Sequence, residues 1–226
     1  MLDRVKHEIV MKKLLVNLVR DPILSSSLVF KGGTCLYLFH GLDRFSVDLD
    51  FNSLKKDLAQ ENITSVITRY LNIELSINKK YTYLWVGSYE KSQQKIKIEI
   101  NKRSYPDTYD THDFYGYMIR TLSRESMFAH KLCAITDRKS VQNRDIYDSW
   151  YMFKHDFRIQ EEIIKLRTGM DTQNYLSFLI KYIEKEVKRD TILQGLGELL
   201  DNKRKDWVKR HLLDELIFEL KLHSSI

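Results

Sequence analysis

The chain has 226 residues and a formal net charge of +6 at neutral pH, a length that suits one large domain or two small ones and a charge that suits an anionic partner. Eight glycines and two prolines are too few for a collagenous, low-complexity or turn-dense all-β chain, so a helix-rich protein is expected. A hydrophobic share of 43% with 12% aromatics excludes a disordered polymer.

In chain order, residues 2–20 read as an amphipathic helix with Val5, Ile9, Leu15 and Val19 on its apolar side, closed by Asp21-Pro22 because proline disfavours helix in the residue before it. Leu28-Val29-Phe30 is a short buried strand. Lys31-Gly32-Gly33-Thr34 is a turn, and a helix runs from Cys35 to His40. Val47 to Phe51 alternates as a second strand. Residues 54–72 read as helix; Tyr81 to Ser88 and Gln94 to Asn101 read as strands joined around Glu90-Lys91-Ser92. From Ser123 onward helical periodicity dominates, with helices near 123–139, 143–156, 159–167, 172–189 and 205–222. The expected fold is therefore α+β: a small mixed-sheet domain over 1–122, then a C-terminal helical bundle over 123–226.

Several chemistries drop out. Cys35 and Cys133 lie far apart, outside any CxxC or CxxH pattern, which excludes a disulfide framework or thiolate zinc site and suits a reducing compartment. No HxH or HExxH spacing occurs around His112 or His130. There is no serine-hydrolase elbow, Walker loop or GxGxxG fingerprint. The longest apolar stretch near the N-terminus, Leu14 to Val19, is interrupted by Asn17, so neither a signal peptide nor a membrane span is expected and the protein reads as cytoplasmic.

What remains is a constellation. Residues two apart on a strand share a face, so Asp48 and Asp50 point one way while Val47, Leu49 and Phe51 point to the core. Adjacent carboxylates on a half-buried strand repel unless a cation lies between them, and hard oxygens suit magnesium or manganese; solvated aspartates at a sheet edge are the plain alternative. Gly32-Gly33 lies 15 residues upstream of Asp48. Glycines between a strand and a helix let amide N–H groups approach a phosphate. Thr34 is placed to cap the helix and to add a hydroxyl donor. Glu99, on the polar face of the Lys95–Asn101 strand beside Lys97, is the candidate third carboxylate; a solvated face with salt bridges is the alternative. Ser46 shares the strand face of Asp48.

Strand, glycine pair, helix, then a strand carrying Asp-x-Asp resembles the polymerase-β-like nucleotidyltransferase superfamily. The segments Phe30-Lys31-Gly32-Gly33-Thr34 with Gly41, Arg44 to Phe51, His130-Lys131-Leu132 through Arg138, and Arg144-Asp145-Ile146-Tyr147-Asp148 narrow it. Together they resemble the AbiEii/AbiGii nucleotidyltransferase toxins, MenT-type members included, of type IV abortive-infection toxin–antitoxin systems. The resemblance implies an enzyme moving a nucleoside monophosphate from an NTP to an acceptor hydroxyl. Asp48, Asp50 and Glu99 would hold two Mg2+ or Mn2+ ions. Lys31, Gly32, Gly33, Thr34, Ser46 and Lys131 would bind the nucleotide, with Lys131 reaching its phosphates and Asp145 beside that lysine. The bundle would contribute to the active-site cleft. It further implies a tRNA 3′ end or a protein as acceptor and a cognate antitoxin as partner. A catalytically degenerate fold that only binds nucleotide or RNA is the competing expectation, and a metal nuclease would leave the glycine turn unexplained.

Arg144 and Asp148, four apart, read as a local helical ion pair, with Asp148 structural. Lys203, Arg204, Lys205, Lys209 and Arg210 read as either the wet face of a helix or an RNA-tracking surface. Tyr81, Tyr83, Trp85 and Tyr89 read as either core or a base-stacking face.

Overall fold

The computed structural model describes residues 3–55, 58–90 and 94–224. The chain forms two compact units, Met1–Tyr105 with Tyr109–Leu122, and Pro106–Thr108 with Ser123–Ile226. The architecture is the expected α+β one, with mixed sheet first and helices after.

The first unit is built on a seven-stranded mixed sheet. Its strands are β1 (Leu28–Lys31), β2 (Leu49–Ser53), β3 (Asn72–Lys79), β4 (Thr82–Ser88), β5 (Lys95–Asn101), β6 (Tyr109–Phe114) and β7 (Tyr117–Leu122), in the order β3-β4-β5-β2-β1-β7-β6. Helices α1 (Arg4–Arg20), α2 (Pro22–Ser25), α3 (Gly32–Phe39) and α4 (Gln60–Ile67) complete it. The core is formed where alternation promised: Leu49 and Phe51 on β2 and Ile96, Ile98 and Ile100 on β5 are buried, and the Phe30 and Phe51 rings meet 5.2 Å apart.

Several expectations are corrected. α1 buries His7, Met11, Leu14, Leu15 and Leu18, leaving Val5 and Ile9 exposed. Packing followed the longer leucine-rich stripe, and β-branched residues at the helix start were left in water. The helix expected over 54–72 is only α4, flanked by coil before it and strand β3 after it; residues 56–57 lie outside the described residues, as do 91–93 in the expected β4–β5 turn. Strands β3, β6 and β7 were not expected. β3 is a sheet edge with mostly exposed residues, and the β6–β7 hairpin is charged and turns at Tyr115-Gly116, both in left-handed conformation. Among the aromatics, Trp85 is wholly buried and donates to Thr64 Oγ1 at 3.0 Å, whereas Tyr81 is exposed at the strand's end.

The second unit packs α5 (Arg124–Asp137), α6 (Asn143–Lys154), α7 (Glu161–Thr168), α8 (Thr172–Glu186) and α9 (Asn202–Ser224), each near its expected place. Two of these helices start on capping side chains. Ser123 caps α5 by accepting from the Ser126 amide at 3.2 Å, and Asp171 caps α8 by accepting from the Asn174 amide at 2.8 Å. Gly169, left-handed at φ 75°, ends α7. α6 lies at the centre, with Ile146, Tyr147 and Met152 fully buried and Trp150 Nε1 donating to Glu215 on α9 at 3.0 Å. No helix among the described residues is long and apolar enough to cross a membrane.

Candidate active site

β1 and β2 run antiparallel with Lys31 opposite Asp50, and β2 and β5 run parallel with Asp50 beside Glu99. Three neighbouring strands thus bring Lys31, Asp50 and Glu99 into one row, opposite the core made by Phe51 and the β5 isoleucines. Asp48 falls one residue before β2, which begins at Leu49 rather than at the expected Val47.

The glycine pair does more than turn the chain. Gly32 has φ +81°, a conformation that costs an L side chain about 1–2 kcal/mol, and a Cβ there would lie 2.6 Å from Asp50 Oδ2. A Cβ on Gly33 would lie 2.7 Å from Arg44 Nη2 and 3.0 Å from Ser46 Oγ. Bare backbone is therefore pressed against a carboxylate on one side and a buried guanidinium and hydroxyl on the other, a cradle that any side chain would fill. Both glycines belong to α3, which starts at Gly32 with Lys31 at its N-cap, so the amides of its first turn have no intrahelical partner.

This early helix start corrects the role expected for Thr34 as a cap. The residue sits within the first turn, is buried, and its hydroxyl is directed inward to the Asp48 main-chain carbonyl, with Ser46 Oγ 2.9 Å away. It ties α3 to the segment that carries Asp48. Arg44, whose Nη1 donates to the Phe45 carbonyl at 3.0 Å, completes this layer; its place beside Gly33 was not read from the sequence, although it stands within the quoted motif.

The electrostatics centre on Asp50. Burial pushes its carboxyl up; Lys97 opposes that shift, the neighbouring Asp48 and Glu99 charges reinforce it, and Lys31 opposes it again. Lys97 is the residue that sequence reasoning passed over. Its ammonium lies 3.1 Å from Glu99 Oε2 and 3.8 Å from Asp50 Oδ1. Burial alone would lower the lysine, but Asp50, Glu99 and Asp48 outweigh it and hold Lys97 above its ordinary value. The signal was available, since alternation places Lys97 on the Glu99 face. Among the described residues no three His, Cys, Asp or Glu side chains are arranged to hold a metal ion together, and Glu99 is turned to Lys97. The donor chemistry nonetheless fits a hard divalent cation: the carboxylates of Asp48, Asp50 and Glu99 are close enough that Asp48 and Glu99 both raise the half-buried Asp50.

In the second unit, Lys131 on α5 is held by two carboxylates of α6, Asp145 Oδ1 at 2.8 Å and Asp148 Oδ2 at 2.7 Å, with Arg138 3.5 Å from Asp145 Oδ2. Asp148 is completely buried. The aspartate read as merely structural is thus an equal partner of the lysine, placed there because residues 145 and 148, three apart on α6, face the same neighbour. His130 belongs to a separate network with Asp107 at 2.7 Å and Arg167 at 2.6 Å. The basic residues of α9 are largely exposed, and Arg204 lies over the Trp207 ring at 5.2 Å.

A mixed sheet whose first strand turns through paired glycines into a helix, beside an Asp-x-Asp that leads into the neighbouring strand, is the arrangement expected of a nucleotidyltransferase. The comparisons agree with that class. Residues 13–216 match the model of the AbiEii nucleotidyl transferase toxin family of type IV toxin–antitoxin systems, and the chain belongs to that family. Two solved structures from Helicobacter pylori resemble it over 100% of its length and 96% of theirs. One is described as a candidate nucleotidyltransferase (25% identity, TM-score 0.66) and the other is JHP933 (23% identity, TM-score 0.58). The second supports the fold alone. No curated protein sequence matches the chain.

Proposed function

We propose that this protein transfers a nucleoside monophosphate from an NTP to an acceptor hydroxyl, releasing pyrophosphate, as the toxin of a type IV pair. The observation that carries the reading is the direct apposition of the glycine turn and the carboxylate strand, with the Gly32 backbone against Asp50 Oδ2. A turn that exposes amides to phosphate and a carboxylate that favours a cation would meet the two halves of a metal–triphosphate at once.

In this reading the first-turn amides of α3 with Lys31, Gly32, Gly33, Thr34 and Ser46 form the phosphate end. Asp48 and Asp50, with Glu99, hold Mg2+ or Mn2+. The bound cation would supply Lewis-acid activation of the acceptor hydroxyl and neutralise triphosphate charge. Thr34 fixes the Asp48 main chain and so sets where that carboxylate stands. The family resemblance assigns to Lys131, which Asp145 and Asp148 hold, the role of neutralising the departing pyrophosphate. By family membership a cognate antitoxin is the expected partner, and a tRNA 3′ end the first acceptor to try.

The test pairs each α-labelled NTP in turn with total tRNA and Mg2+, with Asp48→Asn as control. Label on tRNA in the wild type alone supports the reading, and label on a protein band assigns a protein acceptor. Metal-independent nucleotide or RNA binding without transfer to any acceptor overturns it in favour of a binding module.

A further inference from the structure

Lys97 stands where an added cation would be expected. It rises from β5 on the face shared by Asp50 and Glu99, within ion-pair distance of both. Asp48 adds a third negative charge to the same neighbourhood. Three carboxylates are thus gathered about Lys97, with Lys31 as a second cation acting on Asp50. Lys97 is also built to leave. Its side chain is 36% exposed, its stem is flexible, and its shortest contact is to Glu99, itself 39% exposed. By contrast, Lys131 is sealed between two buried aspartates at 16% exposure. An ammonium and a divalent ion cannot share the Asp50–Glu99 position, because like charges at about 4 Å repel strongly even with solvent screening.

We propose that Lys97 is a resident competitor for the cation site: in the nucleotide-free protein its ammonium closes the carboxylate cluster, and a divalent ion enters only by displacing it. The inference rests on the reading of Asp48 and Asp50 as cation ligands. It deepens that reading by making the free protein a poor metal binder despite its three carboxylates. An anionic metal–nucleotide complex brings phosphate oxygens that can receive the displaced ammonium, so nucleotide and metal are expected to bind better together than either alone.

Mn2+ binding to the full-length, nucleotide-free protein, read from the spectrum of free aquo-Mn2+ by electron paramagnetic resonance, tests this without any turnover. Lys97→Met is expected to bind Mn2+ about tenfold more tightly than wild type, and Lys97→Arg, which keeps the charge, to stay near wild type. Melting in EDTA should be lower for Lys97→Met, and Mn2+ should raise it by more than it raises wild type. Lys97→Gln serves if the methionine variant does not fold. Equal or weaker Mn2+ binding in the neutral variants overturns the inference; if Asp50→Asn still abolishes binding, the cation-ligand reading survives that result. Absence of Mn2+ binding in every protein, with or without a non-hydrolysable NTP analogue, removes both.

Discussion

A methyl group added at Gly32 would meet Asp50 Oδ2 at 2.6 Å and impose a left-handed backbone on an L residue, whereas one added at Gly33 would meet the side-chain ends of Arg44 and Ser46 without a left-handed backbone. Gly32→Ala is therefore expected to cost about 1–2 kcal/mol from backbone alone and to displace Asp50. Gly33→Ala should cost less stability while obstructing phosphate. Thermal melts beside NTP-binding assays of the two variants check the contrast: equal stability losses would contradict it. At this scale the sequence identified the residue types well. What it could not show was direction. Thr34 has the chemistry of a cap, but α3 begins three residues earlier than its hydroxyl needs for that role, so the same group turns inward to Asp48. Lys97 was in plain view two residues from Glu99, yet a charged neighbour on a polar strand face is indistinguishable from a solvated pair until strand β2 is known to lie alongside.

Elements made by strong periodicity were the legible ones. β2 and β5 alternate cleanly, and the helices of the second unit follow caps and apolar stripes. β3 and β6 carry mostly exposed residues whose strand conformation comes from pairing with neighbours rather than from their own pattern, while β7 is short and buries Ile119, Thr121 and Leu122. Two predictions belong here. Lys131 joins α5 to α6, and Lys131→Met would leave Asp145 and Asp148 buried without it, a loss of about 3–5 kcal/mol by comparison with other broken buried pairs. Lys131→Met/Asp148→Asn should recover much of that loss without restoring transfer; a single variant as stable as wild type would contradict the pairing. At the other end of the chain, His7 Nε2–H donates to the Val47 carbonyl at 3.0 Å and anchors α1 beside the Asp48 segment. Burial lowers its pKa from 6.5, against the opposing effects of the Val47 bond and the Asp48 charge. The unfolded chain therefore binds the proton first. Stability is retained above pH 6.5 and falls as pH drops from there through the lowered value. Denaturant melts between pH 7.5 and 5 should show that slope, and His7→Gln should flatten it; an unchanged slope would remove His7 from the account.

At the scale of the whole molecule, the family match over residues 13–216 runs through both compact units, the mixed sheet and the helical bundle. Each unit carries its own buried core, with Phe30, Phe51 and Trp85 in the first and Phe128, Tyr147 and Tyr175 in the second. The central claim is that Asp48 and Asp50 serve a reaction at the α-phosphate. Its most direct test is to follow α- and γ-labelled NTP in parallel, in the wild type and in Asp48→Asn, with melting in EDTA confirming that both proteins fold. The account predicts acceptor-bound α label with the γ label released in pyrophosphate, and neither product in the variant. Transfer of the γ label to an acceptor, or undiminished α transfer by Asp48→Asn, would contradict it.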